Sequence, residues 1–282
     1  MTHITIIGCG LIGGSIAALI KKHLPNTYVH GIDPSQDSLN NALNQHLIQS
    51  SATSINEADI NEVIIITSPI DTIAATIQEL NQIQTKTFTI IECSSVKAFL
   101  KQLPNSPHNI VPVHPMGGSD NQGMAHASAD LLTNCPLITF PDTPQSVTDL
   151  FVQLSFNIIA CDSLDTHDAW MAHISHGPYI LASLLPSILS DTAPNYQAQL
   201  SNICAGGFKD TTRVANSPVP WGSSVLFQNK DNMLTLIQAL RTQLDTFHTL
   251  LSNNQQDALN TLLNKAKNTR NTITDNAQTP NH

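Results

Sequence analysis

Long apolar runs, paired cysteines and positive charge are all scarce in this chain of 282 residues. No run of about eighteen apolar residues occurs, and the N-terminus lacks a basic segment, so neither a transmembrane helix nor a signal peptide is expected. The five cysteines form no C-x-x-C pair, which indicates reduced thiols and a cytoplasmic protein. The net charge is −9 with only three arginines, which argues against a nucleic-acid partner. No residues have the spacing of a metal site.

A glycine-rich turn between a β-branched run and an apolar run is the most informative motif. Its three glycines have G-x-G-x-x-G spacing. The first glycine permits a tight turn, the second lets backbone approach a pyrophosphate, and the third lets the following helix pack on the strand. The N-terminus of that helix offers unpaired N–H groups to the phosphates. The predicted cofactor contacts here are Gly8, Gly10, Leu11, Ile12 and Gly13.

The acidic residue after the second β-rich run supports the same interpretation. Asp33 follows that run, twenty residues beyond Gly13. A carboxylate at this place hydrogen-bonds the adenosine ribose 2′-hydroxyl and repels a 2′-phosphate. The pattern therefore predicts a dinucleotide site that prefers NAD to NADP. The alternative is a glycine turn that serves packing alone, with a surface Asp.

Strand and helix signals alternate through the first half of the chain, which predicts a parallel sheet covered on both faces. The β-rich runs are 4–8, 28–32, 63–67, 88–91 and 110–113, and the helical stretches between them are 11–23, 36–46, 70–82 and 96–103. Two further runs, 136–140 and 156–161, flank a helix at 145–154. We expect them to extend or edge the sheet.

The pattern changes near residue 162, beyond which no convincing strand occurs. Helices are predicted over 164–189, 197–204, 219–229, 233–251 and 254–267. The predicted fold is therefore an α/β Rossmann-type N-terminal domain at 1–162 with an all-α C-terminal domain at 163–267. The polar tail at 268–282 is predicted to be disordered.

Polar residues follow three of the predicted strands, at the edge where open parallel sheets bind ligands. Ser68 and Pro69 form a turn that can pass close to a nicotinamide ribose. Ser94 and the residues after it follow the next strand, and His114 follows the one after that. We expect these side chains to gather where the cofactor lies.

His114 is the predicted proton acceptor. Hydride leaves a secondary alcohol only as the hydroxyl proton is removed, and neutral imidazole titrates in the range that this step requires. Pro115 restricts His114 to extended backbone. Ser95 is expected to orient the alcohol or the imidazole, or to cap a helix that begins at Val96. Lys97 could be a ligand or lie in a solvated first turn.

Three polar aromatic residues recur every third position in the helical half. His173, His176 and Tyr179 would share one helix face, which suggests the wall of a cleft. For His173, the pattern favours a hydrogen-bonded core residue over a site residue. Pro178 is expected to kink or open this helix.

A cation in a glycine-rich segment is the last candidate. Arg213 ends the segment G-G-F-K-D-T-T-R, and a guanidinium there suits a substrate carboxylate held in a bidentate fork. The alternative is an ion pair between helices, with Asp210 or another acid.

Five motifs together resemble the prephenate/arogenate dehydrogenase family of tyrosine biosynthesis. They are G-L-I-G-G-S at 10–15, S-S-V-K at 94–97, H-P-M-G-G-S at 114–119, S-H-G-P-Y at 175–179 and G-G-F-K-D-T-T-R-V-A at 206–215. They occur in the family's order. The resemblance implies an NAD-dependent oxidative decarboxylation of prephenate, a cyclohexadienol, to 4-hydroxyphenylpyruvate.

The resemblance also implies roles for individual residues. His114 takes the proton of the ring hydroxyl, and Ser95 orients that hydroxyl and the nicotinamide. Arg213 binds a substrate carboxylate, while Ser119 and His176 line the substrate pocket. The all-α domain is implied to be the dimerisation domain of a homodimer, with the site in the cleft between the two domains.

Two departures from the family pattern concern the substrate. Tyr179 stands where many members have a second histidine that is expected to touch the substrate side chain. Gly222 and Ser223 replace residues that are more polar in the family. Tyrosine can donate a hydrogen bond but is not cationic at neutral pH. The choice between prephenate and arogenate therefore stays open.

Two other function classes compete with this one. A β-hydroxyacid dehydrogenase usually carries a catalytic lysine on the interdomain helix, and residues 164–189 contain no lysine. A non-catalytic NAD or metabolite sensor would keep the glycines and Asp33, but it would not need His114, Ser95 and Arg213 together.

Overall fold

A six-stranded parallel sheet forms the centre of the N-terminal half. The computed structural model describes residues 3–58, 60–119, 121–192 and 196–276. The strands in chain order are β1 (His3–Ile7), β2 (Tyr28–Ile32), β3 (Ser50–Ala52), β4 (Val63–Ile66), β5 (Thr89–Glu92) and β6 (Asn109–Pro112). Their order across the sheet is β3-β2-β1-β4-β5-β6. This is the predicted Rossmann arrangement, and its order reverses beside β1, where such folds bind ligands.

Helices cover both faces of this sheet, which explains why its central strands are continuous β-branched runs. They are α1 (Leu11–His23), α2 (Gln36–Asn44) and α3 (Ile70–Leu80). Successive residues of β4 alternate between two apolar clusters. Ile65 packs in the cluster that contains α1, whereas Ile64 and Ile66 pack in the cluster that contains α3.

The last strands of this half form a second sheet, so the expectation that they extend or edge the first sheet is wrong. β7 (His114–Pro115) pairs antiparallel with β8 (Pro136–Thr139), which pairs in parallel with β9 (Asn157–Ala160). Helix α4 (Gln145–Gln153) connects β8 and β9. Pro112 lies in the edge strand β6 and has no N–H to offer a further strand. A new sheet therefore starts after one intervening residue, Val113.

Two predicted helices differ in detail. The stretch predicted as a helix over 96–103 holds only a 3₁₀ segment, Ala98–Gln102, which ends before Pro104. The helix predicted over 164–189 is three segments: α5 (Leu164–Met171), a π-helical segment (Ala172–His176) and α6 (Gly177–Thr192). The π segment ends at His176, two residues before Pro178, whose missing N–H removes one helical hydrogen bond. The opening expected at Pro178 is therefore present.

The remaining described helices are α7 (Gln197–Ile203), α8 (Gly206–Thr212), a 3₁₀ segment (Arg213–Asn216), α9 (Val219–Gln228), α10 (Lys230–Ser252) and α11 (Gln256–Asn276). The chain divides into two compact units, Met1–Asn232 and Met233–His282. The domain boundary near 162 stays a prediction. No helix in the described ranges is long and apolar enough to cross a membrane.

The polar tail is not disordered throughout. Residues 268–276 lie in α11, whereas residues 277–282 are outside the described ranges. The helix continues because Leu259, Leu263, Ala266 and Ile273 keep an approximately helical spacing of apolar side chains.

Candidate active site

The glycine turn packs against the turn that follows β4. Gly8 has a φ of +97°, and a Cβ on it would lie 2.5 Å from the backbone nitrogen of Ser68. A Cβ on Gly13 would overlap the carbonyl oxygen of Gly8. In the described part of the chain, nothing beyond its sequence neighbours lies within 4 Å of the Cβ position of Gly10, which stands at the N-cap of α1 and supplies no capping side chain. The first N–H groups of α1, including those of Leu11 and Ile12, are therefore left for an anion.

Asp33 is held against this turn by two backbone groups. Its Oδ2 accepts a hydrogen bond from the N–H of Cys9 at 2.7 Å, and its Oδ1 accepts one from the N–H of Ser35 at 2.8 Å. The carboxylate is half-buried at the end of β2. Its place beside the glycines fits contact with a ribose hydroxyl.

The other predicted cofactor residues lie after β4 and β5. Pro69 is the N-cap of α3, and the Ser68 hydroxyl accepts a hydrogen bond from Thr72 at 3.0 Å. The Ser94 hydroxyl donates to the carbonyl of Val96 at 2.7 Å, within its own loop. The contacts of Ser68, Pro69 and Ser94 with a cofactor stay predictions.

The loop after β5 is built around a buried ion pair. Lys97 Nζ lies 2.5 Å from Glu92 Oε2, and neither side chain is exposed. Lys97 Nζ also donates to the carbonyl of Glu92 at 3.1 Å, and Glu92 Oε1 accepts from the N–H of Ser94 at 2.6 Å. Burying the two charges requires this mutual pairing. Lys97 thus does not lie in a solvated first turn, and a contact between Lys97 and a ligand stays a prediction.

Ser95 lies in a bend of this loop and is half-buried. The expected helix at Val96 is absent, and Lys97 stands at the N-cap of the 3₁₀ segment. The alternative role of Ser95 as a helix cap is therefore wrong. Its role toward the substrate hydroxyl stays a prediction.

His114 lies in β7, two residues beyond the carboxyl end of β6, and is almost fully buried. Its Nδ1 is 2.9 Å from Nε2 of His167. Burial lowers the pKa of His114 well below its usual value, and His167, Lys97 and His176 lower it further. His114 is therefore neutral near pH 7, as a proton acceptor must be.

His167 continues this contact to a carboxylate. Its Nδ1 lies 2.7 Å from Oδ1 of Asp168, and both side chains are buried in α5. Asp168 also accepts hydrogen bonds from the backbone N–H groups of Lys97, at 2.8 Å, and Ala98, at 2.7 Å. We call His114, His167 and Asp168 the histidine relay. It joins the second sheet, α5 and the loop after β5.

His176 ends the π segment and is fully buried. Asn229 bridges it to α5, because its Nδ2 lies 3.1 Å from His176 Nδ1 and donates to the carbonyl of Asp168 at 2.7 Å. Within the described residues, His176 Nε2 has no hydrogen-bond partner. Burial lowers the pKa of His176 to about 4. A neutral imidazole with a free ring nitrogen suits the predicted contact with a substrate.

The three polar aromatics of this helix do not share one environment. His173 is exposed and bonds the carbonyl of Ala169, so it is not a core residue. Tyr179 is half-buried and packs edge-on against Trp221, with ring centroids 5.6 Å apart. A Cβ on Gly222 would overlap the Tyr179 hydroxyl. The π segment breaks the three-residue repeat on which the common face was predicted.

Ser119 and Arg213 are the remaining predicted substrate residues. Ser119 is half-buried, and its hydroxyl accepts a hydrogen bond from the N–H of Asn121 at 3.1 Å. Arg213 is exposed at the start of the 3₁₀ segment after α8. Their contacts with a substrate stay predictions.

Sequence reasoning missed four residues of the buried network: Glu92, His167, Asp168 and Asn229. The tripeptide Thr166-His167-Asp168 was visible at the start of a predicted helix, but adjacent residues point to different sides of a helix. No periodicity therefore singled them out. Among the described residues, no group of His, Cys, Asp and Glu side chains could hold a metal ion.

Comparisons with known proteins cover both halves of the chain. Residues 16–154 match the family model for the nucleotide-binding domain of prephenate dehydrogenase, and residues 163–265 match the model for its dimerization domain. A prephenate dehydrogenase of Lactococcus lactis subsp. cremoris is 30% identical over 279 residues, which are 96% of this chain and 77% of that protein. A cyclohexadienyl dehydrogenase of Zymomonas mobilis is 27% identical over 272 residues, 91% of each protein.

A solved structure has the same fold. The prephenate dehydrogenase from A. aeolicus, in complex with hydroxyphenyl propionate and NAD+, superposes with a TM-score of 0.88. The alignment covers 97% of this chain and 98% of that chain at 24% identity. The similarity confirms the predicted combination of a Rossmann-type domain and a helical domain.

Proposed function

The chain belongs to the prephenate dehydrogenase family and is an oxidoreductase that uses NAD. From this membership we propose that it converts prephenate to 4-hydroxyphenylpyruvate and CO2. The observation that carries the proposal is the buried, neutral His114 beside the ligand-binding edge of the Rossmann sheet. The comparisons confirm the family predicted from the five motifs, and with it the predicted enzyme class and cofactor.

The glycine turn and Asp33 fit NAD. The space beside Gly10 supports a pyrophosphate there, and Gly8 and Gly13 allow the close packing of the turn. We assign the Asp33 carboxylate, which accepts the N–H of Cys9 in this turn, to the adenosine ribose. We assign the remaining contacts to the N–H groups at the start of α1 and to the turns after β4 and β5, with Ser68, Pro69 and Ser94.

NAD supplies the acceptor for the hydride that leaves the carbinol carbon. His114 takes the hydroxyl proton as that carbon becomes a carbonyl. The ring carboxylate then leaves as CO2, and its bonding electrons make the ring aromatic and the oxygen a phenolate. His114 returns the proton to this oxygen, so the imidazole ends the cycle neutral. The main task of the protein is to position the dianionic substrate and polarise one O–H bond.

Four further side chains complete the proposed substrate site. Arg213 would hold a substrate carboxylate in a bidentate fork, which supplies local positive charge on a protein of net charge −9. His176 and Ser119 would line the pocket, and Ser95 would orient the ring hydroxyl. Among the residues that the structure describes, none is a hydrogen-bond partner of Nε2 of buried His176, which supports its assignment.

Tyr179 bears on the choice between the keto side chain of prephenate and the amino side chain of arogenate. Trp221 packs against its ring, and Gly222 leaves the room that its hydroxyl occupies. A tyrosine hydroxyl can donate a hydrogen bond, but unlike an imidazole it does not become a cation. Arogenate is the second candidate substrate, because one relative is named for cyclohexadienyl substrates as a class.

We also propose a homodimer formed by the helical part of the chain. Residues 163–265 match a dimerization-domain model. Leu181, Leu184 and Leu185 lie on α6 at helical spacing, and each is between 44% and 45% exposed. Exposed leucines on one face suit burial against a second copy.

The first experiment is NADH formation with prephenate and with arogenate, measured in parallel on the purified chain with NAD+. We expect a higher kcat/KM for prephenate. A higher kcat/KM for arogenate would reverse the substrate assignment and connect it to Tyr179. Tight NAD binding without turnover of either compound would favour the sensor.

A further inference from the structure

A buried carboxylate fixes the proton on His167. Asp168 accepts backbone N–H groups on both oxygens, from Lys97 on Oδ1 and from Ala98 on Oδ2. Both oxygens of Asp168 thus act as hydrogen-bond acceptors, as those of a carboxylate do. The Nδ1 of His167, at 2.7 Å from Oδ1, must therefore carry a hydrogen.

The proton on His167 in turn fixes the proton on His114. Burial lowers the pKa of His167, so its ring is neutral and its Nε2 has a lone pair. The contact from that Nε2 to Nδ1 of His114, at 2.9 Å, is a hydrogen bond only if His114 carries its hydrogen on Nδ1. The other neutral tautomer would set two lone pairs against each other. The Nε2 of His114 is then the unprotonated nitrogen.

We propose that His167 and Asp168 are positioning residues that hold His114 in the Nδ1–H tautomer and keep its Nε2 available as the base. The proposal deepens the proposed function and rests on it for the identity of the proton donor. An imidazole oriented by a carboxylate is a recurring catalytic arrangement. Here a second imidazole separates the carboxylate from the base.

The placement of His167 between Asp168 and His114 suits the charges around His114. The titratable groups that face the relay are Glu92 at the end of β5, Lys97 of the loop after β5, His176 of the π segment and the thiol of Cys161. Lys97 is cationic and disfavours a second positive charge on His114. When His114 takes the substrate proton, His167 accepts a stronger hydrogen bond from its Nδ1–H. Asp168 supplies the compensating negative charge.

The same carboxylate connects the relay to the loop that carries Ser95. Its bonds to the N–H groups of Lys97 and Ala98 attach this loop to α5. The positions of the predicted base, His114, and of the predicted orienting hydroxyl, Ser95, thus both depend on Asp168. A displacement of Asp168 would move both.

The direct test is the tautomer of His114 in the free full-length protein, read from its two imidazole ¹⁵N resonances near pH 7. The His114→Asn variant assigns the signals. We expect an Nδ1 that carries hydrogen and an Nε2 that does not. A resting Nε2–H tautomer would overturn the proposal. This measurement needs no substrate, so its outcome is independent of whether prephenate is turned over.

A matched pair of variants tests the consequence for turnover. His167→Gln can place an amide oxygen near the position of Nε2 as an acceptor, whereas His167→Met has a similar length and accepts only weakly. We expect His167→Met to lower kcat by about 10²-fold with KM little changed, and His167→Gln to stay within about tenfold of the wild type.

A control pair and one contrary outcome complete this test. His23 lies at the C-terminal end of α1, on the opposite edge of the sheet, so His23→Met and His23→Gln should match the wild type. Equal losses in the two His167 variants would show that the acceptor is irrelevant and would contradict the proposal. An unfolded His167→Met would leave the ¹⁵N tautomer of the wild type as the deciding result.

Discussion

The glycine turn and the histidine relay lie along the same ligand-binding edge, yet different forces shape them. The glycine turn is local: six consecutive residues, Gly8 to Gly13, place backbone N–H groups around open space. The relay is assembled from side chains 53 residues apart in sequence, and each depends on the next for its proton. Backbone geometry can thus prepare a binding site within one turn, whereas a buried base needs partners from several elements.

The largest expected effect comes from His114→Asn, which separates chemistry from binding. The variant removes the base but not the glycine turn, so kcat should fall by about 10² to 10⁴-fold while NAD affinity is kept. NADH formation and a fluorescence titration with NAD measure the two quantities. Turnover close to that of the wild type would exclude His114 from the mechanism.

Gly13→Ala changes the glycine turn and not the histidine relay, and its expected effect is smaller than that of His114→Asn. The new Cβ would overlap the Gly8 carbonyl, so α1 must shift away from the turn. We expect a loss of about 1–3 kcal/mol in the free energy of unfolding and weaker NAD binding. Denaturant unfolding and the NAD titration provide the measurements.

Gly10→Ala is the matched control for this change. Its Cβ meets no atom of the other described residues within 4 Å, so the free energy of unfolding without NAD should stay near that of the wild type. The same Cβ would occupy space that we assign to the pyrophosphate, so NAD affinity should still fall. Equal stability of the Gly13→Ala and Gly10→Ala proteins would refute the packing argument.

The smallest predicted effect is the loss of stability at acidic pH, which comes from the buried histidines and not from the glycine turn. The folded-state pKa values of His114, His167 and His176 are all lowered, that of His176 to about 4. Below the usual histidine pKa of about 6.5, the unfolded chain therefore binds protons that the folded chain does not. The stability contributed by these groups is fully present above that pH and is lost as the pH falls toward their folded-state values.

Thermal unfolding between pH 7.5 and pH 5.5 tests this sign. We expect Tm to fall by about 5 °C across the window, which lies above the usual range of carboxylates. His176→Asn should have a lower Tm at pH 7.5 but a shallower dependence on pH. A Tm that rises on acidification would contradict the burial of neutral imidazoles.

The sequence was sufficient for features that local rules determine. The six glycine-turn residues, Asp33 and the alternation of strands and helices follow from spacing, φ requirements and periodicity. The second sheet did not follow, because only the edge position of β6 makes Pro112 a barrier to further pairing. The 3₁₀ segment after Lys97 also depends on a tertiary partner, the Asp168 carboxylate.

The candidate site shows the same division. His114 was identifiable because it follows a strand and precedes a proline, but His167 and Asp168 had no spacing that related them to it. Their role depends on the 2.9 Å contact between Nδ1 of His114 and Nε2 of His167, which tertiary packing determines. Lys97 shows the converse case, since a side chain expected at the surface is paired and buried.

The π-helical segment Ala172–His176 sets the angular phase between the two ends of one long helix. Nine residues separate His167 from His176, and nine residues of regular α-helix would rotate the two imidazoles to roughly opposite sides. The wider π turn reduces that rotation, so Asn229 can reach the carbonyl of Asp168 and the ring of His176 together. A regular α-helix of the same length over this segment would restore the opposed orientation and turn one histidine out of the site. The irregularity thus acts as a rotational spacer, which fixes which side chains of the helix face the same space.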